Sequence, residues 1–194
     1  CAMAPALERA GASFDDFTIQ NLPFPDMLPA LANGAVDGAV SAEPFMTRAL
    51  QQGVAVKVMG EDEMYPNFTV AFIGFSGALY NDRPTAQRWV RAYLRATRAY
   101  LGALAGTSGE LSRDQVDEIV ARHTGIDVAT VRAMVPVGIN PNGLPNRDSM
   151  LYCYGFFRDQ GLIPQPVSDS AMQALWGTDI VEDVLRELGR QPES

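Results

Sequence analysis

The sequence predicts an α/β fold. Strand and helix signals alternate between Asp16 and Met59, the stretch from Asn67 to Ser76 is β-rich, and the chain turns helical from there to its end. Such a strand, helix, strand rhythm is that of a parallel sheet with crossover helices.

In order along the chain, Ala2, Met3, Ala4, Ala6 and Leu7 read as a helix already under way. Phe17, Ile19 and Leu22 alternate with Thr18 and Gln20 as a short strand would, and Pro23, Pro25 and Pro29 then punctuate the entry to a helix that ends at Gly34. Val36 to Val40 is a second short apolar run. The helix after it opens near Ser41 to Pro44 and closes at Gly53, and Val54, Val56 and Val58 follow with period 2. In the β-rich stretch Phe68, Val70, Phe72 and Ile73 come close together before Gly74.

Beyond it, Asp82 is placed to cap a helix with Pro84 in its first turn. Trp89, Val90, Tyr93, Leu94, Leu101 and Leu104 recur at three- and four-residue spacings, while Arg88, Arg91, Arg95 and Arg98 share the opposite side, readable as a phosphate-binding stripe but favoured, by the acidic total, as a solvated face. Ser112 with Gln115 opens a helix stopping near Gly125, and Asp179 with Glu182 opens one stopping at Gly189. Between them, Met150, Leu151, Tyr154 and Phe157 share one face of a helix within Asn146 to Gln160. The change of character near Ser76 divides the chain into segments 1–75 and 76–194.

With 194 residues, 47% of them hydrophobic and 20% charged, the chain can build a real core, and its composition excludes disorder and a membrane bundle. A net charge of −8 offers no footprint for a nucleic acid or an anionic membrane. Met64 to Tyr80 is uncharged but carries Pro66, Asn67, Thr69, Gly74, Ser76 and Gly77, which excludes a spanning helix there. Glu8 and Arg9 interrupt any secretory signal at the start. Two cysteines, Cys1 and Cys153, are too few for a disulfide framework, and Cys153 reads as inert core. Cys1 is also the residue a processed lipoprotein would begin with, so a lipid anchor is a possible reading, although no polar tether follows it.

Catalytic candidates are few. The only histidine, His123, falls in a last helical turn, where the helix dipole favours a cation, and no nucleophile-elbow, P-loop, dinucleotide or metal spacing occurs. One constellation rises above this background: Ala30 to Phe45, which offers a helix end, the Gly34 turn, a short run, and then Ser41, Ala42 and Glu43 where a helix starts. In open α/β sheets ligands bind at such strand ends, so Ser41 and Glu43 are binding candidates; equally, both can cap the helix with Pro44 in its first turn.

The pattern Ala-Leu-x-x-Gly, then Val-Asp-Gly-Ala, then Glu-Pro, together with RPTAQRWVRAYLRATRAYL and NRDSMLYCYGFFRDQGLIPQPV, resembles the substrate-binding proteins of nitrate, sulfonate, taurine and aminopyrimidine (thiamin precursor) ABC importers. The resemblance spans nearly the whole chain. It implies a periplasmic binding protein-like type II fold of two α/β lobes, of which this chain would hold the C-terminal portion. Residues 1–75 would be second-lobe sheet and helices with Asn67 to Ser76 as the return crossing strand, and 76–194 helices belonging to or bracing the first lobe. The implied function is non-catalytic: an extracytoplasmic component that captures a small polar or aromatic molecule and delivers it to the importer's membrane subunits, with no cofactor. Ligand contacts are then expected at Ser41, Ala42, Glu43, Phe45 and Asn67. Two alternatives stand beside it, the effector-sensing domain of a transcription regulator and an aminopyrimidine-synthesis enzyme. The cysteine-rich motif and histidines of the latter are missing from this sequence.

Overall fold

Helix formation follows the sequence cues closely. The structure is a computed structural model and describes residues 1–107 and 109–193. Helix α1 covers Ala4–Arg9, a 3₁₀ turn Phe14–Asp16, α2 Phe24–Ala32, α3 Phe45–Gln51, α4 Glu61–Met64 and α5 Gly77–Asn81. The long α6 runs Arg83–Ala105 and is followed by α7 Arg113–Thr124, α8 Val128–Ala133, α9 Arg147–Asp159, α10 Asp169–Trp176 and α11 Asp179–Leu188. Asp82 accepts the Thr85 N–H and Pro84 sits in the first turn of α6, while Gly106, at φ 67°, closes it in the left-handed conformation that a side chain resists. Ser112 and Gln115 form the expected capping box of α7.

The α/β expectation is overturned. Helix makes up 54% of the chain, and no strand or sheet exists among the described residues, so the protein is not a two-lobed type II α/β fold. The four runs read as strands, 17–22, 36–40, 54–58 and 67–76, are extended or irregular, and no ladder of backbone hydrogen bonds joins any two of them. The physical reason is that period-2 patterning describes where side chains point, whereas a strand exists only when a neighbour pairs its backbone. Instead of lining a sheet core, Val56 and Val58 are 83% and 89% exposed.

Burial comes from helix packing. Ala86, Val90 and Leu94 of α6 interlock with Ile180, Val184 and Leu185 of α11, and Phe75, Leu79, Tyr80, Tyr93, Leu144, Val181 and Leu188 pack around this seam. Gly143, at φ 66°, lets the following loop lie against it: a Cβ there would stand 2.8 Å from Leu94 Cδ2. The arginine side of α6 is not simply solvated. Arg91 makes a two-pronged pair with Glu187, and Arg98 donates to the carbonyls of Pro141 (3.1 Å) and Gly189 (2.7 Å), so two of the four arginines clamp α11 and its exit onto α6. Asp179, expected to help open α11, spends its carboxylate on Arg83 and on the Tyr80 hydroxyl (3.0 Å), and no side chain caps that helix.

Helix α9 also turns differently from the predicted face. Leu151 and Phe157 are exposed, while Tyr152 packs against Tyr65 at 5.4 Å and Phe156 against Phe14 at 5.3 Å. The side facing those rings also carries Cys153, which is not inert core: it forms a disulfide with Cys1 across 152 residues, with Cα atoms 5.3 Å apart. Two cysteines too few for a framework are enough for one long-range clasp.

Candidate functional site

The Ser41–Phe45 turn is built by local backbone chemistry. The Ala42 carbonyl accepts the N–H groups of Phe45 (3.0 Å) and Met46 (3.2 Å), and this starts α3 directly after the cis Glu43–Pro44 peptide. Thr47 and Ala49 are buried behind it, which anchors α3 between α2 and α8. The Phe45 ring stacks on Phe24 of α2, with centroids 6.3 Å apart and planes 18° from parallel.

Glu43 is held from two directions. One carboxylate oxygen accepts the Thr47 N–H at 3.2 Å and the other accepts the Val135 N–H, also at 3.2 Å and 92 residues away. Of the capping reading only the Glu43 part is met, through the N–H of Thr47: Ser41 caps nothing, and Pro44 is the residue before the helix rather than part of its first turn. The Val135 bond adds a tether between this turn and the segment leaving α8, which no local pattern announces. Carboxylate oxygens have further lone pairs, so Glu43 retains acceptor capacity. The Ser41 hydroxyl oxygen beside it is buried and has no hydrogen-bond partner, an uncommon state for a buried polar atom.

Asn67 belongs to a different neighbourhood. It adopts φ 56°, a left-handed conformation that Asn tolerates better than most residues, and its carbonyl accepts from Asn146 Nδ2 at 2.9 Å. Next to it the Asn146 N–H donates to Thr69 Oγ1 (2.9 Å), and the Thr69 N–H donates to Oγ of Ser149, which is fully buried. This latch fastens 67–69 to the start of α9. No hydrogen bond joins Asn67 to the Ser41–Phe45 turn among the described residues, so four of the five expected contact residues are together and the fifth is used structurally.

Two surface hollows lie along α7, lined by Leu111, Gln115, Glu118, Ile119 and Arg122, and beside α9, lined by Glu8, Tyr152, Phe156 and Asp159 among others; none of the five expected residues lines either. Among the described residues no three His, Cys, Asp or Glu side chains gather as metal ligands, and no helix is long and apolar enough to cross a membrane. Exposed His123 stands in the last turn of α7, the position read from the sequence. Phe24 and Val135 are the contributors to the Ser41–Phe45 turn that sequence reasoning missed. Phe24 announces itself only as an apolar residue between two prolines, and Val135 acts through its backbone, which leaves no sequence signal.

Comparison with known proteins places residues 2–108 under the family model described as the NMT1-like family, a match over more than half of the chain that includes the Ser41–Phe45 turn and Asn67. That family lies within the nitrate, sulfonate, taurine and thiamin-precursor binding protein group. No curated protein and no solved structure matches the chain.

Proposed function

The chain belongs to the NMT1-like family, and we propose that it is the extracytoplasmic solute-binding component of an ABC importer, capturing a small polar or aromatic molecule such as a sulfonate, nitrate or an aminopyrimidine. The family match is the observation that carries this reading: the family suggests solute binding in the ABC importer context, is typically one of binding proteins rather than enzymes, and is typically extracytoplasmic. The Cys1–Cys153 disulfide supports the same compartment, since such bonds persist where the surroundings are oxidising.

The contact set we propose is Ser41, Ala42, Glu43 and Phe45, with Asn67 as an outlying member. Its support is chemical. An unpartnered Ser41 hydroxyl offers a donor and an acceptor, Glu43 has acceptor capacity beyond its two backbone bonds, and the Phe24–Phe45 ring pair offers an apolar flat surface. Such a mixture suits a planar ligand that carries an N–H donor better than a bare anion, so within the group an aminopyrimidine-like molecule is favoured.

A thermal-shift panel of sulfonates, nitrate, aminopyrimidines and aromatic carboxylates tests this. A ligand at 100 times its Kd adds about 2.7 kcal/mol. For a chain of this length that raises Tm by roughly 5–10 °C. A shift with one class, weakened by Ser41→Ala, is the expected result. No shift with any class overturns the reading.

A further inference from the structure

Two asparagines of this chain are followed directly by glycine, Asn33–Gly34 and Asn142–Gly143. In such a pair the glycine nitrogen approaches the side-chain amide carbon of the asparagine unshielded, because glycine carries no Cβ to stand in the way. The reaction this invites is intramolecular. A bond forms from the glycine nitrogen to Cγ, the Cγ–Nδ2 bond breaks, and ammonia leaves with the proton released by the glycine N–H. Water, the sole co-reactant, then opens the five-membered imide at either carbonyl and leaves aspartate or isoaspartate.

The fold treats the two pairs oppositely. Asn33 ends α2, and Asn33, Gly34 and Ala35 are all exposed. Its Oδ1 accepts one bond, from the Ala35 N–H at 3.0 Å, and its Nδ2 donates to nothing among the described residues. The Gly34 N–H is held by the Leu31 carbonyl at 3.2 Å, and a Cβ built at Gly34 would meet nothing within 4 Å. With ψ at 2°, Asn33 has to rotate before the Gly34 nitrogen reaches Cγ. That rotation breaks the bonds of Gly34 to Leu31 and of Ala35 to Ala30, which is the fraying of one helix end. Asn142, by contrast, is 1% exposed. Its Oδ1 accepts the Gln191 N–H at 2.8 Å, and its Nδ2 donates to the Gln191 carbonyl at 2.8 Å and to Glu193 Oε1 at 3.2 Å. Gly143 lies tight against Leu94 in the α6–α11 seam. The same rotation there has to tear away residues 191–193 and disturb the core.

The structure assigns Asn33 as a site of self-modification, converted with age to aspartate or isoaspartate by attack of the Gly34 nitrogen, while the fold protects the chemically equivalent Asn142. Each conversion adds a negative charge at the C-terminal end of α2, the end at which the helix dipole disfavours an anion. Isoaspartate also lengthens the backbone by one carbon between α2, whose Phe24 stacks on Phe45, and the chain running on to the Ser41–Phe45 turn.

Ageing the intact chain at mildly alkaline pH, followed by peptide mapping with electron-transfer fragmentation, tests the assignment. A mass gain of about 1 Da placed at Asn33, the difference between an amide NH₂ and a hydroxyl, is expected, with aspartate and isoaspartate both present. The rate at Asn142 should be at least about tenfold lower, since its opening needs more of the structure to come apart. In guanidinium chloride the two sites keep their sequence and lose the fold, so their rates should converge to within about twofold. An unmodified Asn33, equal rates in the folded chain, or a contrast that survives unfolding would each overturn the proposal.

Discussion

Removing the Cys1–Cys153 disulfide by replacing both cysteines with serine tests how a protein with a modest core holds its ends together. The bond closes a loop spanning 152 residues of sequence separation. In the chain-entropy account, cross-linking a loop of this size destabilises the unfolded ensemble by about 5 kcal/mol. That would be a large share of the roughly 5–15 kcal/mol a domain possesses. Apart from the disulfide, α1 is fastened mainly by Arg9, whose guanidinium donates to the carbonyls of Glu63 (3.0 Å) and Met64 (3.3 Å), and by the buried Ala4. Two readouts are therefore needed. Urea unfolding of the oxidised parent and the double serine variant gives the midpoints and slopes, and thiol titration of the parent under denaturing conditions without reductant should find no free thiol. The midpoint of the variant should fall by an amount equivalent to several kcal/mol, with a steeper slope because its unfolded chain is more expanded. Two free thiols in the parent, or an unchanged midpoint, would refute the reasoning.

Glu43→Gln keeps only one side-chain carbonyl oxygen for two backbone N–H groups, and since Val135 is exposed enough for water to substitute, the loss should be about 1 kcal/mol by denaturant midpoint; an unchanged midpoint would deprive the tether of any weight. Leu94→Ala, at a fully buried position of the α6–α11 seam, should cost about 2–5 kcal/mol. Gly143→Ala presses on the same Leu94, so in a double-mutant cycle it should cost at least about 0.5 kcal/mol less when Leu94 is already alanine; strict additivity would disprove the contact. Toward acid, stability should hold down to about pH 5 and then decline. Asp82 and Asp127 are kept below the usual carboxylate range by hydrogen bonds from Thr85 and Thr130, and Glu187 by its bond from Arg91. Asp179 would be raised by its burial, but Arg83 and Tyr80 outweigh that and lower it. Depressed folded-state values mean that the unfolded chain takes up protons first, so stability is complete above the ordinary carboxylate values and is lost as pH falls through the depressed ones. A midpoint that rises below pH 4 would contradict this, and Asp179→Asn should flatten the decline.

Local chemistry was written in the sequence and tertiary partnership was not. Asp82 with Pro84, Ser112 with Gln115, and Gly125 at a helix end could be read directly, because a cap is satisfied by atoms three or four residues away. The family, too, was legible from short patterns in order, and so was the Ser41–Glu43 turn as a helix start. What pairing and contact decide was beyond its reach. The valines at 54, 56 and 58 have the period of a strand, yet whether they become one depends on a neighbour, and none pairs with them among the described residues. Cys1 and Cys153, Glu43 and Val135, and Arg98 with Gly189 each join positions many residues apart. Such partners are selected by the packing of whole helices, and since that packing is set by the summed burial along the α6–α11 seam, no single residue type announces them.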